Sequence, residues 1–366
     1  MMHHKSGSII VYTLMILAII IFLMQQLVRS SFVHANFMRT MIDRENAEIL
    51  ALSGVSIAMA QLTIDEKDAE STEKKKAGTE AKKSPEQVLL ERLLPHLNRW
   101  HDFKLTEKVD GIDGLIRVCV SCEDGKLNIN QAFNFEKMEF KPEYEWVKKL
   151  TLSGRLAVGE LATRLTDFLK QRKRKIDDIS ELLAVPGLEA FSLFYTPPEL
   201  PAKGKRDEPN TEHALSDVFT TWTTDDKVNL LWLSDSLSGI FGLRRPLARD
   251  AETRKDIFDQ FIKAFDKNKV RDFDANWKTV EPLYGPKPKM FPEIKNIFSK
   301  DFGPKIFSVV SCGKVGRVEQ RVIAVMRQED VKPEAKHDRK GKSGDDKSTS
   351  VKAPGKRFKI LRVYWL

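Results

Sequence analysis

Ile9-Ile10-Val11-Tyr12-Thr13-Leu14-Met15-Ile16-Leu17-Ala18-Ile19-Ile20-Ile21-Phe22-Leu23-Met24 is an almost unbroken apolar run, preceded by His3, His4 and Lys5 and followed by Gln25 and Gln26. A helix needs about twenty apolar residues to cross a hydrocarbon core, and Leu27 and Val28 bring this run close to that length. Lipid is therefore the expected surrounding of Ile9, Tyr12, Leu17, Ile20 and Phe22. Lys5 puts the start of the span on the cytoplasmic side, because short cytoplasmic flanks carry the excess of Lys and Arg.

The run does not stop where a secretory signal would. Val33-His34-Ala35 offers small residues at the spacing a signal peptidase accepts, but the pattern beyond it stays helical. Phe32, Val33, Asn36, Phe37, Met41, Ala47, Leu50, Ala51, Gly54, Val55, Ala58 and Leu62 recur at steps of three and four with no proline between them. One helix of over fifty residues, about 80 Å long, is the expected outcome, leading from the membrane into a soluble domain.

The stretch Lys5-Ser6-Gly7-Ser8-Ile9-Ile10-Val11-Tyr12 resembles the basic leader, glycine and apolar helix of a type IV pilin-like precursor. With Glu45-Asn-Ala-Glu-Ile-Leu-Ala-Leu-Ser-Gly54, it is similar to the type II secretion protein K family of minor pseudopilins. The resemblance implies cleavage between Gly7 and Ser8 by a prepilin peptidase, then methylation of the new terminus. It also implies an inner-membrane protein of a single pass with its C-terminal domain in the periplasm. Most pseudopilins carry Glu at the fifth mature position, where this chain has Tyr12, and the family that lacks it sits at the filament tip. Expected partners are other minor pseudopilins, the inner-membrane secretion platform, the peptidase and the lipid bilayer. The helix face of Ala47, Ala51 and Ala58 is the expected subunit contact, since small residues let helices approach closely.

Downstream, the reading divides the chain into a leader (1–7), a transmembrane and stalk helix (8–62) and a charged linker (63–84) rich in Lys, Glu, Ala, Ser and Thr. The first part of an α/β domain (85–131) has helical periodicity from Pro85 to Trp100, then a strand pair. In that pair, Gly114–Cys122 turns at Glu123-Asp-Gly into Lys126–Gln131. Asp124-Gly-Lys-Leu-Asn-Ile-Asn130 is similar to a family element, and its asparagines read as caps of local backbone. Residues 132–300 carry helical signals, including Leu156–Lys170 and Ile257–Lys267. Ile176–Leu188 and Lys227–Leu243 are similar to the two helical repeats of the family. The last part (301–366) reads as three antiparallel strands with a loop over 329–356. The expected fold is α+β: a long hydrophobic helix and an antiparallel pseudopilin-like sheet, with an all-α insert of helix-hairpin-helix-like (SAM-like) type between its second and third strands.

The 366 residues are 41% hydrophobic, enough for a sizeable core, and the net charge is +9. The basic run Lys332–Arg357 is broken by Asp338, Asp345 and Asp346 and reads as a solvated loop. Pro186-Gly187-Leu188-Glu189 lacks the second glycine with which a helix-hairpin-helix grips phosphate, so nucleic acid is not an expected partner. Cys119, Cys122 and Cys312 are too few for a zinc site of four thiolates. They read either as small core residues or as a disulfide joining Cys312 to one of the pair. His96 and His101 are off the same-face helical spacing, and no nucleophile elbow, phosphate loop or zinc-protease motif is present, so no enzyme is expected. Family relatives bring calcium to mind. Here the acidic stretch is reduced to Asp167-Phe-Leu-Lys-Gln-Arg172, too few oxygens for a cation wanting six to eight, and no cofactor is assigned.

Overall fold

The computed structural model describes residues 6–63, 97–149, 160–188, 193, 214–225, 227–229, 232–241, 297–299, 305–330 and 356–366. The periodic segment forms one helix, α1, over Ser6–Leu62, 57 residues long. Its hydroxyl side chains bond back along the helix: Thr40 donates to Asn36 O at 2.9 Å and Ser53 to Ile49 O at 2.8 Å.

Five strands form one antiparallel sheet: β1 (Trp100–Leu105), β2 (Gly114–Cys122), β7 (Ile306–Val315), β8 (Val318–Asp330) and β9 (Lys356–Trp365), side by side in that order. Gly316 takes φ 57° as the first residue of the two-residue loop joining β7 to β8, a position that wants positive φ. Short helix α2 (Glu107–Asp110) lies in the β1–β2 connection. The three C-terminal strands follow the sequence reading. β1 does not: the helical pattern ascribed to Pro85–Trp100 gives way by Leu97, which bridges Val120, and Trp100 already pairs with Cys119. Residues 85–96 lie outside the described residues.

The expected hairpin of Gly114–Cys122 with Lys126–Gln131 is also absent. Glu123–Gly125 makes a 3-10 turn, and β2 pairs instead with β7, 187 residues away at Ser121 and Ser308. Asp124 explains the diversion, because its Oδ2 accepts from the backbone N–H groups of Lys305 (2.6 Å) and Ile306 (3.0 Å) and so staples the start of β7 to the end of β2.

Between β2 and β7 lies the insert. Its described residues include β3 (Leu127–Asn128), α3 (Ile129–Ala132), β4 (Phe133–Asn134), β5 (Glu139–Phe140), α4 (Glu160–Arg172), α5 (Leu215–Val218), β6 (Phe219–Thr220) and α6 (Asp235–Ile240). The insert is thus not all-α: β3 pairs with β6 in parallel and β4 with β5 antiparallel. Phe133 stacks edge-on to Phe140 across the second ladder at 5.4 Å, an aromatic pairing that favours the extended form there. Asn128 does act as a cap, accepting from the N–H groups of Asn130 and Gln131. Ile257–Lys267 lies outside the described residues.

The sheet is covered on both sides. One face packs on the C-terminal part of α1 through Ile116, Val118, Val309 and Val322, all buried. The other meets the insert, where Cys119, Val310 and Ile323 adjoin Ile179, Asp217 and Phe219.

Candidate anchoring and assembly site

α1 has two different halves. From Val11 to Ile42 its large apolar side chains are exposed, with Tyr12 at 63%, Leu17 at 54%, Ile20 at 49% and Phe22 at 58%. A window of mean hydropathy 2.3, none of it covered by the rest of the chain, is long and apolar enough to cross a membrane. Gly7, Ser8 and Ile9 continue the same helix toward its start.

From Ala47 onward one face of α1 is sealed. Ala47, Ala51 and Ala58 are fully buried with Leu50, Gly54, Val55 and Leu62, at helical spacing, against the chain's own sheet. The approach is close enough to demand small residues. A Cβ on Gly313 would lie 2.1 Å from Ala47 O, and one on Gly54 would lie 2.0 Å from Ser311 Oγ. This corrects the expected subunit contact: the alanine face is occupied inside the chain. Periodicity identifies a close-packing face, but a sheet takes small residues as readily as a neighbouring helix does.

The free face is the opposite one. Ile42 (55% exposed), Ile49 (60%) and Leu52 (45%) follow one another at steps of seven and three along the folded half of α1, continuous with the bare apolar half. The sequence reading did not single out these residues as an uncovered face. The signal was present, since α1 has apolar side chains on two faces where a helix lying on one sheet needs only one.

On the other side of the sheet, the insert is held by a polar cluster. Glu123 and Lys126 form a buried ion pair with Ser308 at 3.5 Å from the ammonium. Nearby, Asp217 Oδ2 accepts from Ser236 N–H at 2.8 Å and is fully buried. Burial pushes the carboxyl pKa of both Asp217 and Asp124 up. Farther along, Tyr364 of β9 donates to Asp178 at 2.6 Å, and Asp178 in turn caps the 3-10 turn Ile179–Ala184. Burial alone would raise Asp178, but the bonds from Tyr364 and Ser180 and the charge of Arg362 hold its carboxyl below the usual range. Glu123, Lys126, Ser308, Asp217 and Tyr364 line a cavity of about 40 Å³, room for a few waters.

The cysteines are all free and buried. Burial raises the thiol pKa of Cys119 and Cys122 and pushes Cys312 up to about 11, so all three are thiols rather than thiolates at neutral pH. Among the described residues, no three His, Cys, Asp or Glu side chains gather where they could hold a metal ion. Gly187 takes φ 87° in the turn after the 3-10 segment, while Glu189 lies outside the described residues.

No protein-family model and no curated protein matches the chain. Solved structures similar to this chain include one from a secretion system. It is a chain of the GspK-GspI-GspJ complex of the type 2 secretion system from enterotoxigenic Escherichia coli, 13% identical over 77% of this chain and 92% of that one, with a TM-score of 0.31. The expected site residues all lie on α1.

Those residues fall into two groups. Tyr12, Leu17, Ile20 and Phe22 lie in the exposed half of α1, with Gly7, Ser8 and Ile9 on the same helix nearer its start. Ala47, Ala51 and Ala58 belong to the sealed half and to the fold itself.

Proposed function

We propose that this chain is a minor pseudopilin, anchored in the inner membrane by α1 with its C-terminal domain in the periplasm, which starts or caps a type II secretion pseudopilus and catalyses no reaction. The observation that carries this reading is the division of α1 into a bare apolar half and a half seated on its own antiparallel sheet, with Ile42, Ile49 and Leu52 left uncovered along the join. A helix built this way offers one continuous apolar stripe to helices of neighbouring subunits, in lipid and above it.

In this reading a prepilin peptidase cuts between Gly7 and Ser8, and the new terminus is methylated. Tyr12 then occupies the fifth position, where a carboxylate would pair with the terminus of the subunit above. Without that charge the chain receives no subunit above it, which suits the tip. Its partners are other minor pseudopilins and the inner-membrane platform, and it needs no cofactor.

A photo-crosslinker placed at Ile49 or Leu52 in cells with the full secretion machinery tests the contact. Adducts to other single-helix membrane proteins of that machinery are expected from both positions. The competing reading, a single-span receptor or scaffold, requires adducts from the insert and none from Ile49 or Leu52, and that pattern would overturn the proposal.

A further inference from the structure

Helix α4 ends in Lys170-Gln171-Arg172 and the chain goes on as Lys173-Arg174-Lys175, placing five cations within six residues. Cations in the last turn of a helix meet the negative end of its dipole, which accounts for Lys170 and Arg172. Arg172 is also engaged by Glu181 and Asp177. Lys173, Arg174 and Lys175 lie beyond the helix and need another reason. With Lys170 they are exposed, and none of the four is paired with an acid among the described residues. The nearby carboxylates do not offset them: Asp177 bonds to Arg172, and exposed Asp167 lies a turn back on α4.

The corner is firmly mounted. Lys173 takes φ 57° and closes α4 by donating to Leu169 O at 3.0 Å. Directly after it, Ile176 is clamped by Asn130, whose amide accepts from Ile176 N–H at 2.7 Å and donates to Ile176 O at 2.8 Å. Four cations without an acidic partner among the described residues, carried on a backbone held in place, create a local positive field that attracts an anion.

We infer that this corner docks an acidic segment of a partner protein. Its place in the fold argues for protein over lipid, a step that rests on the membrane-anchored reading. Gly54, which faces Ser311, is about 40 Å along α1 from Val28 at 1.5 Å per residue. Asp178, three residues beyond Lys175, is bonded to Tyr364, whose sheet neighbours Ile323 and Val310 lie beside Ser311, so the corner sits near the level of Gly54. Headgroup charge is screened within about 8 Å at physiological salt, so it does not reach this height.

The test uses the full chain in phosphatidylcholine nanodiscs and a fluorescent deca-glutamate peptide as probe. Reversing the corner (K173E/R174E/K175E) is expected to weaken binding about tenfold or more, and the milder K173Q/R174Q/K175Q set about threefold. Reversal of three exposed lysines elsewhere, K104E/K108E/K137E, is expected to change it less than about twofold. Equal losses in the two reversal sets, no binding by the native chain, or tighter capture by phosphatidylglycerol vesicles than by the peptide would each overturn the inference. Because the chain is already in lipid, an error in the N-terminal reading leaves the peptide result unchanged and shows only in the vesicle arm.

Discussion

Gly313 of β7 lies so close beneath Ala47 of α1 that a Cβ on the glycine would sit 2.1 Å from the Ala47 carbonyl oxygen and 2.6 Å from Ala51 N. Both obstacles are helix backbone, which cannot swing aside as a side chain does. Gly313→Ala must lift α1 off the sheet, and an overpacked interface costs about 1–3 kcal/mol. A fall in the thermal midpoint of the soluble domain in detergent is expected, together with faster amide exchange over residues 47–58.

Ser311 is the neighbouring case with the opposite sign. Its Oγ is buried under Gly54 and has no hydrogen-bond partner among the described residues. A stranded hydroxyl costs about 1–3 kcal/mol of desolvation, so Ser311→Ala is expected to leave stability unchanged or raise it. Denaturant unfolding gives the sign.

Removing one partner of the Glu123–Lys126 pair leaves a charge buried without its counter-ion. Lys126→Met is expected to destabilise by about 3–5 kcal/mol, whereas the double change Glu123→Met with Lys126→Met recovers most of the loss. A double-mutant cycle measures the coupling. Equal instability of the single and double variants would show that the pair does not hold the insert to the sheet.

Asp217 sets a pH dependence. Its folded carboxyl pKa is raised by burial, so its contribution to stability is full below the unfolded value of about 3.9 and is lost as pH rises through the folded value. Asp217→Asn keeps an oxygen to accept from Ser236 N–H and removes the titration. The native chain is expected to lose stability relative to this variant between acid and neutral pH, as read from melting temperatures across that range. Parallel profiles would contradict it.

Some of this architecture was legible in the sequence because the forces behind it are local. The apolar run and the three-four spacing after it specify α1 without reference to the rest of the chain, and period-two alternation marks β7, β8 and β9. Asn128 was readable as a cap because the groups it satisfies are two and three residues away. What was not readable depends on partners far along the chain. Nothing near Asp124 indicates that its carboxylate holds Lys305 and Ile306, so the local turn signal pointed to a hairpin that does not form. Trp100–Leu105 carries a strand pattern too short to stand apart from the helical signal before it. The alanines at 47, 51 and 58 announced close packing correctly, but composition cannot say whether a sheet or another subunit fills the space.

The most direct test of the central claim is mass spectrometry of the amino terminus of the native protein purified from its membrane. A pseudopilin begins at Ser8, with a methyl group on its amine. A terminus at Met1, or at Asn36 after signal-peptidase cleavage, would contradict the account.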